Sequence, residues 1–596
     1  MILRGPPRAP SRFPTLAHAL RAAAGHPSGV TFVDLSEREL VLSWGEVLAR
    51  AERAAAALAS LGIERGDRVA IVLRTEPAFL DAFLGAWFAG AVPVPLYPPV
   101  RLGRMDEYVR ATARMLEVSG ARLVLSRGGV KRLLGRAVEL ARPELGCRDA
   151  DELHLAGGRG EAAPPRPPLA RLPEPDELAV VQFSSGSTVD PKPVALTHAA
   201  LAAQVDALTA CVAPGPGDVL VSWLPLYHDM GLVGAPLGAM SYPGPLVLVP
   251  PEHFLARPAL WLRAIARHGG TLSAAPSFAY AYAADRVKDA ELEGLSLSSW
   301  RLALDGAEQV SGEVMRRFAA RFSRFGFDPA SLVPVYGLAE AALAVTFARR
   351  GRPLEGRRVD PIRLARDGLV APGAREVVPV GTPVPGVEVE LRDERGHPVP
   401  EGRLGRIHVR SPSLMREYLG DPRATAEALR DGWLDTADLG FVAGGELFVH
   451  GRAKDVVVVR GANHAPEEFE DALAGVPGVR PGCVVAAGFA PEGEGGEALL
   501  VLVERRRGAR TPDEAIAAAV RAAVVERTGV SPHTVRVLAP GTLPRTSSGK
   551  LRRQEAARRF VSGALSPPRS ANALRLALDL ARSQLAYARV WRRGAP

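Results

Sequence analysis

Between residues 42 and 96 the apolar residues change period three times. Leu42 to Leu61 places Val47, Leu48, Ala51, Ala54, Ala55 and Leu58 at helical spacing, and Gly66-Asp67-Arg68 turns the chain into the apolar run Val69 to Leu73. A second helix, Ala78 to Ala89, and a second strand, Ala91 to Leu96, repeat the pair. This alternation constrains the fold more than any other feature, because strands separated by helices pair in parallel and are covered on both faces. An α/β architecture is predicted. At 596 residues the chain exceeds what one core supports, and 47% hydrophobic content leaves ample material to bury, so two or more domains are expected.

Several classes are excluded early. Cys147, Cys211 and Cys483 are odd in number and far apart, which gives neither a disulfide framework nor a CxxC metal site and points to a reducing, cytoplasmic setting. The Arg- and Pro-rich amino terminus has no apolar segment of the secretory kind. Ala78 to Tyr97 is the most membrane-like stretch, but Asp81 interrupts it and Pro93 and Pro95 break any helix, so no membrane span is predicted. A formal charge of +9 is spread among 65 acidic residues without a basic helix or aromatic-interleaved patch, so nucleic acid is not an expected partner. Only five lysines accompany the arginines, at 131, 192, 288, 454 and 550. A sequence that uses Arg wherever a positive charge suffices keeps Lys where a compact ammonium on a flexible stem is needed.

Residues 182 to 198 read QFSSGSTVDPKPVALTH, between the apolar run Leu178 to Val181 and the helical stretch Ala199 to Leu208. Strand, loop and helix are expected in that order. Ser184, Ser185, Ser187 and Thr188 surround Gly186, with Lys192 close behind, which gives clustered donors on a backbone free to turn. That composition suits polyphosphate oxygens. It is not the P-loop of the NTPases, whose Lys follows Gly directly and precedes Ser or Thr, because Pro191 and Pro193 flank Lys192.

Further stretches follow in order: SWLPLYHDMGL at 222 to 232, TLSAAPSFAYAY at 271 to 282, WRLALDGAEQV at 300 to 310, VYGLAE at 335 to 340, WLDTADLG at 433 to 440, GRAKDV at 451 to 456 and LPRTSSGKLRR at 543 to 553. Together with residues 184 to 198 they resemble the adenylate-forming superfamily, and within it the fatty acyl-AMP ligases, over roughly residues 30 to 560. The resemblance departs from the usual pattern at Ser277 and Asp305, where Asn is customary, and at Ala437, where Gly is customary.

The resemblance implies a large amino-terminal domain, residues 1 to 453, with parallel sheets covered by helices. It also implies an insertion at about 348 to 378, a small mobile α+β domain at 454 to 560, and a tail of unknown role from 561 to 596. The insertion, rich in Arg and Gly, is expected to have little core of its own. ATP and Mg²⁺ are the implied cofactors. Ser184 to Thr188 and Lys192 would hold leaving phosphates, while Gly306, Ala307, Glu308, Tyr336 and Gly337 would border the nucleotide. Glu340 would hold Mg²⁺, Asp438 and Arg452 the ribose, and His228 would border the acyl pocket. Lys550 would bridge carboxylate and α-phosphate, with Lys454 and Asp455 as the hinge. The implied activity is conversion of a medium- or long-chain fatty acid to acyl-adenylate with pyrophosphate release. An acyl carrier protein or a polyketide or peptide synthase would accept the acyl group. Two rivals stay open: an acyl-CoA synthetase, and a weakly active acyl- or nucleotide-binding homologue.

Overall fold

The computed structural model describes residues 1–99, 102–155, 171–184, 191–459, 462–491, 497–546, 549–568 and 573–594. Its largest sheet has a parallel half formed by strands Leu332–Gly337, Leu302–Asp305, Leu272–Ala275, Leu220–Ser222, Leu246–Leu248 and Gly29–Val33, in that order. These strands are short and apolar, and the chain returns between most of them through helices such as Ala259–His268 and Gly312–Phe322. A second, four-stranded parallel sheet joins Val92–Pro95, Arg68–Val72, Leu123–Ser126 and Cys147–Asp149.

The other half of the large sheet is antiparallel, running through Ala344–Phe347, Pro379–Pro383, Glu446–Arg452, Trp433–Ala443, Gly405–Arg410, Glu388–Arg392 and Ile2–Arg4. The sheet is therefore mixed rather than parallel throughout. Several of these strands are joined by tight turns, such as Gly444-Gly445 between Trp433–Ala443 and Glu446–Arg452, which leave no room for the helix a parallel crossover needs.

Two boundaries shift from the sequence reading. The helix expected from Leu42 begins at Trp44, because Glu39–Ser43 forms the edge strand paired with Gly29–Val33. Ser43 ends that strand and caps the helix, its side chain accepting from Glu46 N while the Glu46 carboxylate accepts from Ser43 N. The stretch beginning at Ala78 is a buried helix, Pro77–Phe88, with every residue from Ala78 to Phe88 buried. Its Asp81 carboxylate is held by Arg50 through two hydrogen bonds of 2.9 and 2.7 Å, which supplies the partner that a buried charge requires. Among the described residues no helix is long and apolar enough to cross a membrane.

Residues 348 to 378 have more structure than their composition predicts. Strands Arg357–Val359 and Arg375–Val377 pair antiparallel around helix Pro361–Asp367. Val359, Leu364 and Val377 are buried in a cluster with Phe441, Ala443 and Phe448 of the antiparallel wing. The segment itself contributes three buried apolar residues to this cluster, and the wing supplies the rest.

After Arg452 the chain builds a separate sheet, Val479–Phe489, Ala498–Arg505 and Thr534–Leu538, covered by helices Asp513–Thr528 and Arg553–Val561. Helix Ala573–Gly594 then returns to the large body and lies against helices Gly128–Leu133 and Gly135–Ala141.

Candidate active site

In open α/β sheets ligands bind beyond the carboxyl ends of the parallel strands, and the predicted residues gather there. Ser222 ends its strand and leads into the loop carrying His228 and Asp229. Asp305 ends the strand Leu302–Asp305 and is followed by Gly306, Ala307 and Glu308, and Gly337 precedes the short turn Ala339–Ala341 that holds Glu340. One cleft is lined by Ser184, Lys192, His228, Ala307, Glu308, Tyr336, Gly337, Glu340, Asp438, Arg452, Lys454, Asp455 and Lys550. Gly306 stands just behind it, where a Cβ would meet Val335 Cγ2 at 2.6 Å.

The order strand, loop, helix expected for residues 182 to 198 needs correction. Leu178–Phe183 pairs antiparallel with a second strand, Pro193–Thr197, and the helix His198–Val212 starts only after it. The loop thus connects two paired strands rather than a strand and a helix. Ser185, Gly186, Ser187 and Thr188 lie outside the described residues. At the loop's base Ser184 N donates to Lys192 O at 2.9 Å, and Lys192 N donates to Ser184 Oγ at 3.3 Å.

A tight polar group occupies one side of the cleft. Tyr336 Oη donates to Asp438 Oδ2 at 2.7 Å, and Arg452 Nε reaches Asp438 Oδ1 at 3.2 Å from the neighbouring strand. Tyr418 Oη donates to Glu340 Oε1 at 2.9 Å, and Lys192 Nζ sits 4.3 Å from the Tyr418 ring centroid. Burial raises the Glu340 pKa, a cost that a cation beside the carboxylate would remove. The sequence stretch Gly402 to Tyr418 resembles a family strand pair but by itself assigns Tyr418 no role. Strand Glu417–Tyr418 reaches the site by pairing with Pro193–Thr197, a long-range register that no local motif announces.

Opposite lies the lysine loop. Lys550 is partly buried, and burial lowers its pKa while the Asp229 and Glu308 carboxylates hold it up. Burial would raise Asp229, but His228, with Nδ1 at 2.6 Å from Asp229 Oδ1, and Lys550 bring it below the usual range. Glu308 accepts from Phe278 N at 2.8 Å, and Gly549 packs toward the Phe278 ring. The small domain is therefore docked with its lysine among groups of the large domain. At the predicted hinge, on the small domain's own side, Gln554 Nε2 donates to Lys454 O at 3.0 Å, and Arg553 stands 3.9 Å from the buried Asp455.

Ala437 and Ala307 both line the cleft in the left-handed region, at φ 59° and 70°. The first is the position where the resemblance leads one to expect glycine, and the backbone has kept the glycine-like turn. Beyond the polar groups, Trp223, Phe278 and Tyr282 form an apolar wall, with Trp223 stacked on Phe254 at 3.9 Å between centroids. The cleft volume is about 3460 Å³, several times that of a single-ligand pocket, and includes the space between the two domains.

The profile of the AMP-binding enzymes matches residues 20–419. A putative acyl-CoA synthetase of Caulobacter vibrioides is 34% identical over 564 residues, 92% of this chain and 96% of the relative. A long-chain-fatty-acid–AMP ligase, FadD26, of Mycobacterium marinum is 32% identical, covering 87% of this chain and 91% of its own length. A solved structure from a study of fatty acyl-adenylate ligases of E. coli and L. pneumophila superposes with a TM-score of 0.86 at 34% identity. It covers 94% of this chain and 99% of that one. The chain belongs to the AMP-binding enzymes, the adenylate-forming ligases that act on ATP, and its near relatives and structural neighbours include fatty acyl-AMP ligases.

Proposed function

We propose that this ligase activates a medium- or long-chain fatty acid as the acyl-adenylate and passes the acyl group to the thiol of an acyl carrier protein or synthase. The observation that carries it is the docked lysine: Lys550 enters the cleft beside Asp229 and Glu308, facing the pair Asp438 and Arg452. In the first step a carboxylate oxygen bonds to the α-phosphorus of ATP as the bond to the bridging oxygen breaks, and pyrophosphate leaves with that electron pair. No covalent enzyme intermediate is required. The protein's task is to position two anions and neutralise the charge they share.

In this reading Lys550 lies between carboxylate and α-phosphate, and the hydroxyl-rich loop with Lys192 receives the leaving phosphates. Asp438, its orientation fixed by Tyr336 and Arg452, accepts from the ribose hydroxyls. Trp223, Phe278 and Tyr282 border the acyl chain beside His228. One carboxylate, Glu340, fits Mg²⁺, which takes few protein ligands and completes its shell with water and phosphate oxygens. When bound, the ion would neutralise phosphate charge. The Glu340 carboxylate is held in place by Tyr418, which needs no proton from it.

The name of the Caulobacter relative supports a second reading, transfer to free coenzyme A. One experiment separates the two and also tests the weakly active alternative: pyrophosphate release measured over a fatty-acid series, with and without coenzyme A, with products weighed by mass spectrometry. Acyl-adenylate without acyl-CoA supports the ligase proposed here, and abundant acyl-CoA overturns it. ATP binding without turnover on any acid leaves only the binding module.

A further inference from the structure

The chain does not end with the small domain. Beyond helix Arg553–Val561 it turns at Ser562 and Gly563 and passes Arg104, whose Nη2 donates to Ser566 O at 3.5 Å. It then forms helix Ala573–Gly594 on the large body. Leu576, Leu580 and Tyr587 pack on the cluster that holds Leu133, Leu134 and Val138. Ser583 is buried and its Oγ accepts from Gly135 N at 2.7 Å, and Tyr587 Oη donates to Lys131 O at 2.8 Å. Arg589 adds an ion pair to Glu139 at 3.4 Å. Gly135 permits this approach, since a Cβ there would stand 2.1 Å from Ser583 O.

The small domain is thus attached to the large body at both ends, by the hinge at Lys454-Asp455 and by this helix. Two contacts close the same face between them: Arg559 pairs with Glu107 at 3.1 Å, and Arg104 Nη2 donates to Thr542 O at 3.0 Å. A domain on one hinge turns freely about it, and a second anchor removes much of that freedom. Val561 and Ala573 are twelve residue steps apart, so the segment between them spans at most about 43 Å when fully extended. Any turn carrying Val561 farther than that from Ala573 must lift the helix from its groove.

We propose that helix Ala573–Gly594 is a strap that holds the small domain over the cleft with Lys550 in place, and that its release frees the small domain to move. This rests on the reading that the small domain changes position between acyl-adenylate formation and acyl transfer. The strap makes the balance of the two steps adjustable from outside the cleft: what secures the helix favours activation, and what displaces it favours transfer.

Three variants of the full protein test the strap: Gly135→Val, which places a side chain where Ser583 packs, Tyr587→Ala, and a chain ending after residue 568. Cys147 reports release, because Tyr587 lies against it and burial holds its thiol up at about 11, so it reacts slowly while the helix is docked. Its alkylation, followed peptide by peptide, should quicken at least about tenfold, and amide exchange at residues 453 to 459 and 543 to 546 at least about fivefold. Acyl transfer should rise about threefold or more while acyl-adenylate formation falls or holds. Faster alkylation of Cys147 with unchanged exchange at the hinge overturns the strap. Should Gly135→Val fail to fold, the shortened chain gives the same comparison. If no form makes acyl-adenylate, the proposed function falls, while alkylation and exchange still decide the strap.

Discussion

Asp305 is fully buried at the end of its strand, with Ser277 Oγ 2.6 Å from its Oδ2 and no partner for Oδ1 among the described residues. Burial, opposed by the Ser277 hydrogen bond and reinforced by Glu308, lifts its pKa well above the usual carboxylate range and so favours the protonated form, which has the shape of Asn. The sign of the pH effect follows. The folded state binds the proton more tightly than the unfolded state, so stability falls as pH rises from about 4 toward the folded pKa, by up to about 1.4 kcal/mol per unit. Asp305→Asn removes this term. Its stability advantage over the native chain should be larger at pH 7.5 than at pH 4.5, measured by denaturant unfolding, and a constant difference would refute a raised Asp305 pKa. Lys550 leads to a different expectation. Lys550→Arg should slow adenylation on the order of a hundred- to a thousandfold, nearly as much as Lys550→Ala, because a planar fork does not replace a point charge in an enclosed site. Near-normal pyrophosphate release by the arginine variant would refute that. The scarcity of lysine made residue 550 legible in the sequence. Tyr418 was not legible, since its contact with Glu340 spans 78 residues and depends on strand pairing.

Among elements, the segment at 348 to 378 shows where composition misleads. Its arginines and glycines hide a three-residue apolar set, Val359, Leu364 and Val377, whose partners Phe441 and Phe448 lie far along the chain. Helical and strand periods between 42 and 96 were legible because each element carries its own pattern, whereas this one borrows half its core. The consequence concerns the proposed hinge at Lys454-Asp455. Helix Pro361–Asp367 touches strand Ala462–His464 just past it, and Arg375 Nη1 lies 3.4 Å from His450 Nδ1. An insertion folded firmly on the wing can restrain the small domain, and one that is loosened cannot. Leu364→Ala should cost about 2–5 kcal/mol of local packing and raise acyl-CoA formation without abolishing acyl-adenylate. Ile362→Ala, at a side chain 54% exposed on the same helix, should change neither product. Mass spectrometry of both products for the two variants decides it, and equal effects would remove the insertion from the mechanism.

At the scale of the whole molecule, charge is the property least tied to the fold. The chain carries 74 basic and 65 acidic residues, and many of the arginines are engaged in ion pairs such as Arg122 with Glu144 and Arg301 with Asp218. What survives at a distance is the excess of +9. Such a field leaves chemistry in the enclosed cleft largely untouched, because salt screens buried charges weakly. It acts instead on encounter with an acidic partner, speeding association at low salt and less so as the Debye length shrinks from about 10 Å toward 3 Å. The two steps of the proposed reaction should therefore separate. Raising salt from about 50 mM to about 500 mM should slow acyl transfer to an acidic carrier protein severalfold, while pyrophosphate release without carrier changes less than about twofold. Transfer to a small neutral thiol should follow the second pattern, because it has no charge to steer. If carrier and small thiol respond to salt alike, the excess charge plays no part in acceptor choice, and recognition must lie in the contacts at the cleft mouth.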